Sequence, residues 1–198
     1  MFITFEGIDG SGKSTQALRL KAWLEKLNYE VIYTFEPGGC ELSKGVRELL
    51  LSGNIKDDIA RLILFLGDRK LHVDKVIKPA LDLNKIVICD RYNLSSIAYQ
   101  SVNLDYKFVK EFVKSFNFVE PDINLFLDIK AEEALKRLEN RGHAKDNIES
   151  KGVKYLNAVN ENYKKLAEEN NKIIVIDANK SELEIANLIK NYVNKILK

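Results

Sequence analysis

Five short runs rich in β-branched and aromatic residues, at 2–6, 30–35, 85–89, 123–128 and 172–177, punctuate the chain. Longer stretches separate them, with apolar residues recurring every three or four positions. The short runs predict strands and the longer period predicts helices, and their alternation predicts βαβ units around a parallel sheet. Segment 13–27 sets Ala17, Leu20, Leu24 and Leu27 on one helical face, and 57–81 does the same with Ile59, Leu62, Ile63, Leu66 and Val73. Segments 131–141, 153–169 and 182–197 continue the helical period. The stretch Arg141-Gly142-His143-Ala144-Lys145-Asp146-Asn147 is polar and charged, and reads either as a plain connection or as a lid. No linker, repeat or low-complexity segment divides the chain. The expectation is one α/β domain over 1–198, with five parallel strands flanked by helices in three layers and a short lid at about 137–150.

Composition narrows the class of function. With 45% hydrophobic and 30% charged residues among 198, disorder and fibrous repeats are excluded. The net charge of +2 is too balanced for a protein that coats nucleic acid, so anion binding should be local. Cys40 and Cys89 form no close pair and read as reduced thiols. The first residues lack a signal peptide's basic head and apolar stretch, and no apolar run reaches the ~18 residues of a membrane span. The expected setting is cytoplasmic, with neither a nucleic acid nor a membrane as partner.

Candidate chemistry begins at Gly7-Ile8-Asp9-Gly10-Ser11-Gly12-Lys13-Ser14, directly after the first strand and opening the first helix. The pattern G-x-x-x-x-G-K-[ST] in that setting is a phosphate loop. Its glycines let backbone N–H groups and a helix N-terminus wrap a polyphosphate. Lys13 would reach the β- and γ-phosphates, and the Ser14 hydroxyl would ligate Mg²⁺. The loop through Thr15 predicts ATP binding and a P-loop NTPase fold. Asp90-Arg91 follows the strand at 85–89, where open α/β sheets build their sites. Asp90 could hold a Mg²⁺-bound water and Arg91 could meet phosphate oxygens.

Other arginines suggest a second phosphate site. Arg47 lies in a helix after Glu36-Pro37-Gly38-Gly39, and Phe65 and Arg69 share a helix face at i, i+4. A ring and a guanidinium together suit a base and a phosphate, although an isolated Phe65 would read as core. His72 and His143 form no metal spacing and read as surface or lid residues. Cys89, in an apolar strand, reads as core.

These stretches together resemble the thymidylate kinase family of P-loop nucleoside monophosphate kinases. The resemblance runs from Phe5 through Gln16 and Glu36-Pro37-Gly38-Gly39, then Phe65 to Arg69 and Val76 to Leu81. It continues through Asp90-Arg91-Tyr92, Ser95, Ala98-Tyr99-Gln100, Pro121-Asp122, Leu125 to Asp128 and the basic residues Arg137 to Arg141. It implies transfer of a phosphoryl group from MgATP to dTMP, and a homodimer packed through helices. It implies that Asp9 contacts the sugar 3′-hydroxyl, that Phe65 stacks on thymine, and that Arg69 lies beside the base. Arg47 and Arg91 become acceptor-phosphate ligands, and Tyr99 crowds the 2′ position. Ser95, Ser96 and Gln100 become polar contacts near the base. Position 10 is Gly where one branch of the family carries Arg. Branches without that Arg keep basic residues in the lid, here Arg137, Arg141 and Lys145, with Arg141 the first choice for the catalytic cation.

Three rival readings remain at this stage. In a deoxynucleoside kinase the neutral hydroxyl acceptor would need a carboxylate base, for which Glu36 is the candidate. A nucleotide-driven switch would need a guanine-reading Asn-Lys-x-Asp, and Asn171-Lys172-Ile173-Ile174 lacks the acid. The third keeps the reaction and substitutes another pyrimidine monophosphate, because a methyl pocket discriminates by only ~1–3 kcal/mol.

Overall fold

A computed structural model describes residues 1–140 and 152–197. Strands β1 (Phe2–Glu6), β2 (Val31–Phe35), β3 (Ile86–Asp90), β4 (Ile123–Asp128) and β5 (Ile173–Asp177) form one parallel sheet in the order β2-β3-β1-β4-β5. β1 and β3 are buried along their whole length, as central strands covered on both faces must be. That burial explains the continuous apolar run Ile86 to Cys89 in β3, while β1 carries Thr4 and Glu6 as buried polar residues.

The helices follow from local chemistry. α1 (Lys13–Lys26) leaves the phosphate loop from a left-handed Gly12 and has no side-chain cap, so its N-terminal N–H groups face the loop without a side-chain acceptor. α2 (Lys44–Leu51) precedes α3 (Asp58–His72), which is capped by the Asp57 carboxylate accepting from the Ala60 N–H at 2.7 Å. The single helix expected over 57–81 is instead α3, a π-helical turn at Val73–Ile77 and α4 (Lys78–Asp82). Pro79 explains the widening: it has no N–H to continue the ladder, and its ring crowds the carbonyl one turn back. α5 (Asn93–Gln100) and α6 (Tyr106–Ser115) were not read from the periodicity. α7 (Ala131–Asn140), α8 (Gly152–Glu169) and α9 (Glu182–Ile196) complete the set, and α9 opens on a capping box between Ser181 and Glu184.

Packing corrects the expected faces. Ala17, Leu20 and Leu24 of α1 are buried but Leu27 is exposed, and Leu62, Leu66 and Val73 are buried while Ile59 and Ile63 are not. The buried stripes are narrower than hydrophobicity alone predicts. Among the described residues no helix is long and apolar enough to cross a membrane.

Candidate active site

At the C-terminal edge of the sheet, β1 and β3 lie side by side and send their connections in opposite directions, which opens a crevice. A cavity of about 410 Å³ fills it, reaching from the phosphate loop to Phe65 and Gln100. Five cations line it, Lys13, Arg47, Arg61, Arg69 and Arg91, against the carboxylates of Asp9, Glu36 and Asp90. That excess suits polyanionic ligands.

At one end, Lys13 is buried and its Nζ donates to the Ile8 carbonyl at 2.8 Å. Burial, with Arg91 nearby, lowers its ammonium to about 8, although Asp9, Asp90 and Glu6 pull the other way. Ile8 itself is wholly buried. The Ser11 hydroxyl is buried without a partner among the described residues. The Ser14 hydroxyl donates to Asp90 Oδ2 at 2.5 Å, and Asp90 Oδ1 is buried with no protein partner there. A hydroxyl and a carboxylate with a spare oxygen, beside the loop, form an all-oxygen donor set that fits Mg²⁺. Gly10 has φ +81°, and a Cβ there would lie 2.3 Å from the Ala134 carbonyl oxygen. α7 therefore rests directly on the loop.

The middle of the crevice is organised by Arg91, which leaves β3 in a left-handed conformation, φ 71°. Its guanidinium donates to the Gly7 carbonyl at 3.1 Å, to Tyr99 Oη at 3.2 Å, to Ser95 Oγ at 3.3 Å and to the Asp9 carboxylate. Tyr99 Oη donates to Asp9 Oδ2 at 3.0 Å. Burial alone would raise the Asp9 carboxyl, but Arg91 and Lys13 outweigh it and hold it below its usual value. Beneath them lies Glu6, fully buried, which accepts from the Tyr92 N–H at 2.9 Å, Ser95 Oγ at 2.5 Å and Tyr163 Oη at 3.2 Å. Burial pushes the Glu6 carboxyl up despite these donors.

At the far end, Arg69 Nε donates to Glu36 Oε2 at 2.7 Å and Nη2 to the Tyr92 carbonyl at 2.9 Å. His72 is not a surface residue: it is fully buried, with Nδ1 2.9 Å from Glu36 Oε1 and Nε2 2.7 Å from Thr34 Oγ1. Its partners are distant in sequence, and a polar side chain one turn beyond Arg69 reads equally well as solvated. Glu36 has both carboxylate oxygens engaged, which leaves it poorly suited to act as a general base. Arg47 donates to the Pro37 carbonyl at 2.6 Å and lies over the Phe35 ring.

The structure brings Asp9, Gly10, Gly12, Lys13, Ser14, Glu36, Arg47, Phe65, Arg69, Asp90, Arg91, Ser95, Ser96, Tyr99 and Gln100 to this one cavity. Phe65 is half-buried on the cavity wall rather than in the core. Gly7, Ile8, Ser11 and Thr15 are not on that wall. Arg137 turns away, donating to the Ala178 carbonyl at 3.0 Å. Arg141, His143 and Lys145, with most of the expected lid, lie outside the described residues. Cys89 is buried as expected, and burial with Glu36 nearby raises its thiol well above the usual range. The cavity also takes in Tyr33, Arg61, Leu138 and Tyr155, which the sequence reading missed. Strand alternation pairs Tyr33 with Phe35, and Arg61 extends the Phe65–Arg69 spacing by one turn, so both had a signal. Tyr155 had none.

A family model described as thymidylate kinase matches residues 5–189. The chain is 42% identical to the thymidylate kinase of Mesoplasma florum, over 93% of this chain and 90% of that protein. It is 39% identical to that of Prochlorococcus marinus (strain NATL2A) over 100% and 97%, and 40% identical to that of Mycoplasma capricolum subsp. capricolum over 94% and 91%.

Proposed function

The chain belongs to the thymidylate kinase family, and on that premise we propose that it phosphorylates dTMP to dTDP with ATP as donor and with its crevice residues in the following roles. ATP binds through the backbone of residues 7–15 and Lys13. The acceptor nucleotide fills the far end, with its base against Phe65 and beside Arg69 and Gln100, and its sugar between Asp9 and Tyr99. Arg91 and Arg47 take the acceptor phosphate. The acceptor is already an oxyanion, so no side chain has to remove a proton. The task is to hold two polyanions in line while charge shifts. Arg91 suits it because its planar fork stays charged and Asp9 and Tyr99 hold it in one orientation. Ser14 and Asp90 would hold Mg²⁺, which when bound neutralises phosphate charge. The single observation that carries the reading is a cavity where the phosphate loop, Arg91 and the Phe65–Arg69 pair share one wall.

A neutral nucleoside acceptor is disfavoured by the engagement of Glu36 with Arg69 and His72. We extend the proposal to a homodimer packed through α3, where Ile59 and Ile63 are 38% and 51% exposed. The chemistry is tested by following ADP release from MgATP with dTMP, dUMP, UMP, dCMP and thymidine offered separately. Preference for dTMP with thymidine inert is the expected result, and activity on thymidine alone would overturn it.

A further inference from the structure

We propose that His72, which does not itself line the cavity, is a positioning residue that fixes Arg69 and through it the base end of the site. The inference rests on the acceptor reading above. Four contacts link five groups in one buried chain: Thr34 Oγ1 to His72 Nε2 at 2.7 Å, His72 Nδ1 to Glu36 Oε1 at 2.9 Å, Glu36 Oε2 to Arg69 Nε at 2.7 Å, and Arg69 Nη2 to the Tyr92 carbonyl at 2.9 Å. A carboxylate oxygen only accepts, so the Glu36 contact assigns a proton to Nδ1. Nε2 and the Thr34 hydroxyl close the chain at its other end. The backbone is shaped around this ring: a Cβ on Gly39 would lie 2.6 Å from Nε2 and 2.8 Å from Cδ2.

Arg69 is left with one unpartnered nitrogen among the described residues, Nη1, and Arg69 lines the cavity beside Phe65. Among the described residues, Arg69 is the other side chain that donates to Glu36. Without the imidazole, Glu36 Oε1 becomes a buried acceptor lacking its donor, and a side-on pair with Arg69 through Nε and Nη2 answers that lack. Such a pair draws Nη2 from the Tyr92 carbonyl and rolls the guanidinium, which changes the face that Arg69 offers to the cavity beside Phe65. His72 thus holds Arg69 to a single oxygen of Glu36.

The test uses the full chain with His72→Leu, His72→Asn and Thr34→Val. Asn keeps a donor where Nδ1 stands; Leu keeps none. dTMP affinity is measured by calorimetry without ATP, alongside KM for each substrate, kcat and Tm. His72→Leu should weaken dTMP binding about tenfold, the scale of one hydrogen bond to a charged group, with KM for ATP moving less than about twofold. His72→Asn should recover most of the loss, and Thr34→Val should lose about threefold, so a misfolded Leu variant leaves two readings in hand. Unchanged dTMP affinity in folded variants, or equal losses for both substrates with no recovery by Asn, would overturn the proposal. Wild-type protein that fails to bind dTMP would instead overturn the acceptor reading on which it rests.

Discussion

The two ends of the crevice both bury a cation and treat it in opposite ways. Lys13 has a backbone carbonyl as its close partner, and burial holds its ammonium down to about 8. Arg69 is gripped by a carboxylate and a carbonyl and lies over the rings of Tyr92 and Phe118. A cation that must meet a transient charge is kept under-satisfied, so that an arriving phosphate supplies what the fold withholds. A cation that must recognise a shape is over-determined, so that it has one orientation to offer. The donor end should therefore yield activity when broken, and the base end should yield stability.

The sharpest break is Lys13→Met. Turnover should fall about 10³-fold or more while Tm does not fall, as steady-state kinetics and calorimetry would register. A comparable loss of Tm would mean that Lys13 is structural after all. Next, Arg69→Leu strands Glu36 beside His72 in the core and should cost about 3–5 kcal/mol in denaturant unfolding. A loss near zero would erase the contrast between the two ends.

A smaller effect sharpens the comparison by pH. The unfolded chain binds more protons than the folded one between Lys13's lowered value of about 8 and its ordinary 10.5, so stability rises with pH across that window. Activity runs the other way: kcat/KM for ATP should decline above pH 8 as neutral Lys13 accumulates in the free enzyme, and Lys13→Arg should move that limb upward. Glu6 has the opposite effect on stability, because its raised folded value means the folded chain holds its proton longer and loses stability as pH rises through that value. The smallest effect belongs to the exposed Arg19–Glu182 pair. Arg19→Ala should change stability by ~0–1 kcal/mol and leave both kinetic constants alone.

Much of this contrast was legible in the sequence, though unevenly. The donor end is built by a continuous stretch, Gly7 to Ser14, whose backbone does the binding, so its spacing is its structure. The five strands were legible for the same local reason, with shifts of a residue at their edges. The base end is assembled from β2, α3 and α5, and Phe65 and Arg69 were found because they share a helix face. His72 was not, since its partners, Thr34 in β2 and Glu36 just after it, lie nearly forty residues away. Tyr155 likewise reaches the cavity only because α8 packs on α5. α5 offers periodicity little to register over eight mostly buried residues, whereas α6 with its C-cap carries apolar residues at 109, 112, 113 and 116 and was legible. Residues 141–151, where the lid cation was expected, lie outside the described structure.

The contact between Gly10 and the Ala134 carbonyl has an evolutionary consequence. A side chain at position 10 would have to displace α7, so a descendant of this chain gains one there only by reseating that helix. How far this loop can diversify is limited by one glycine's lack of a methyl group.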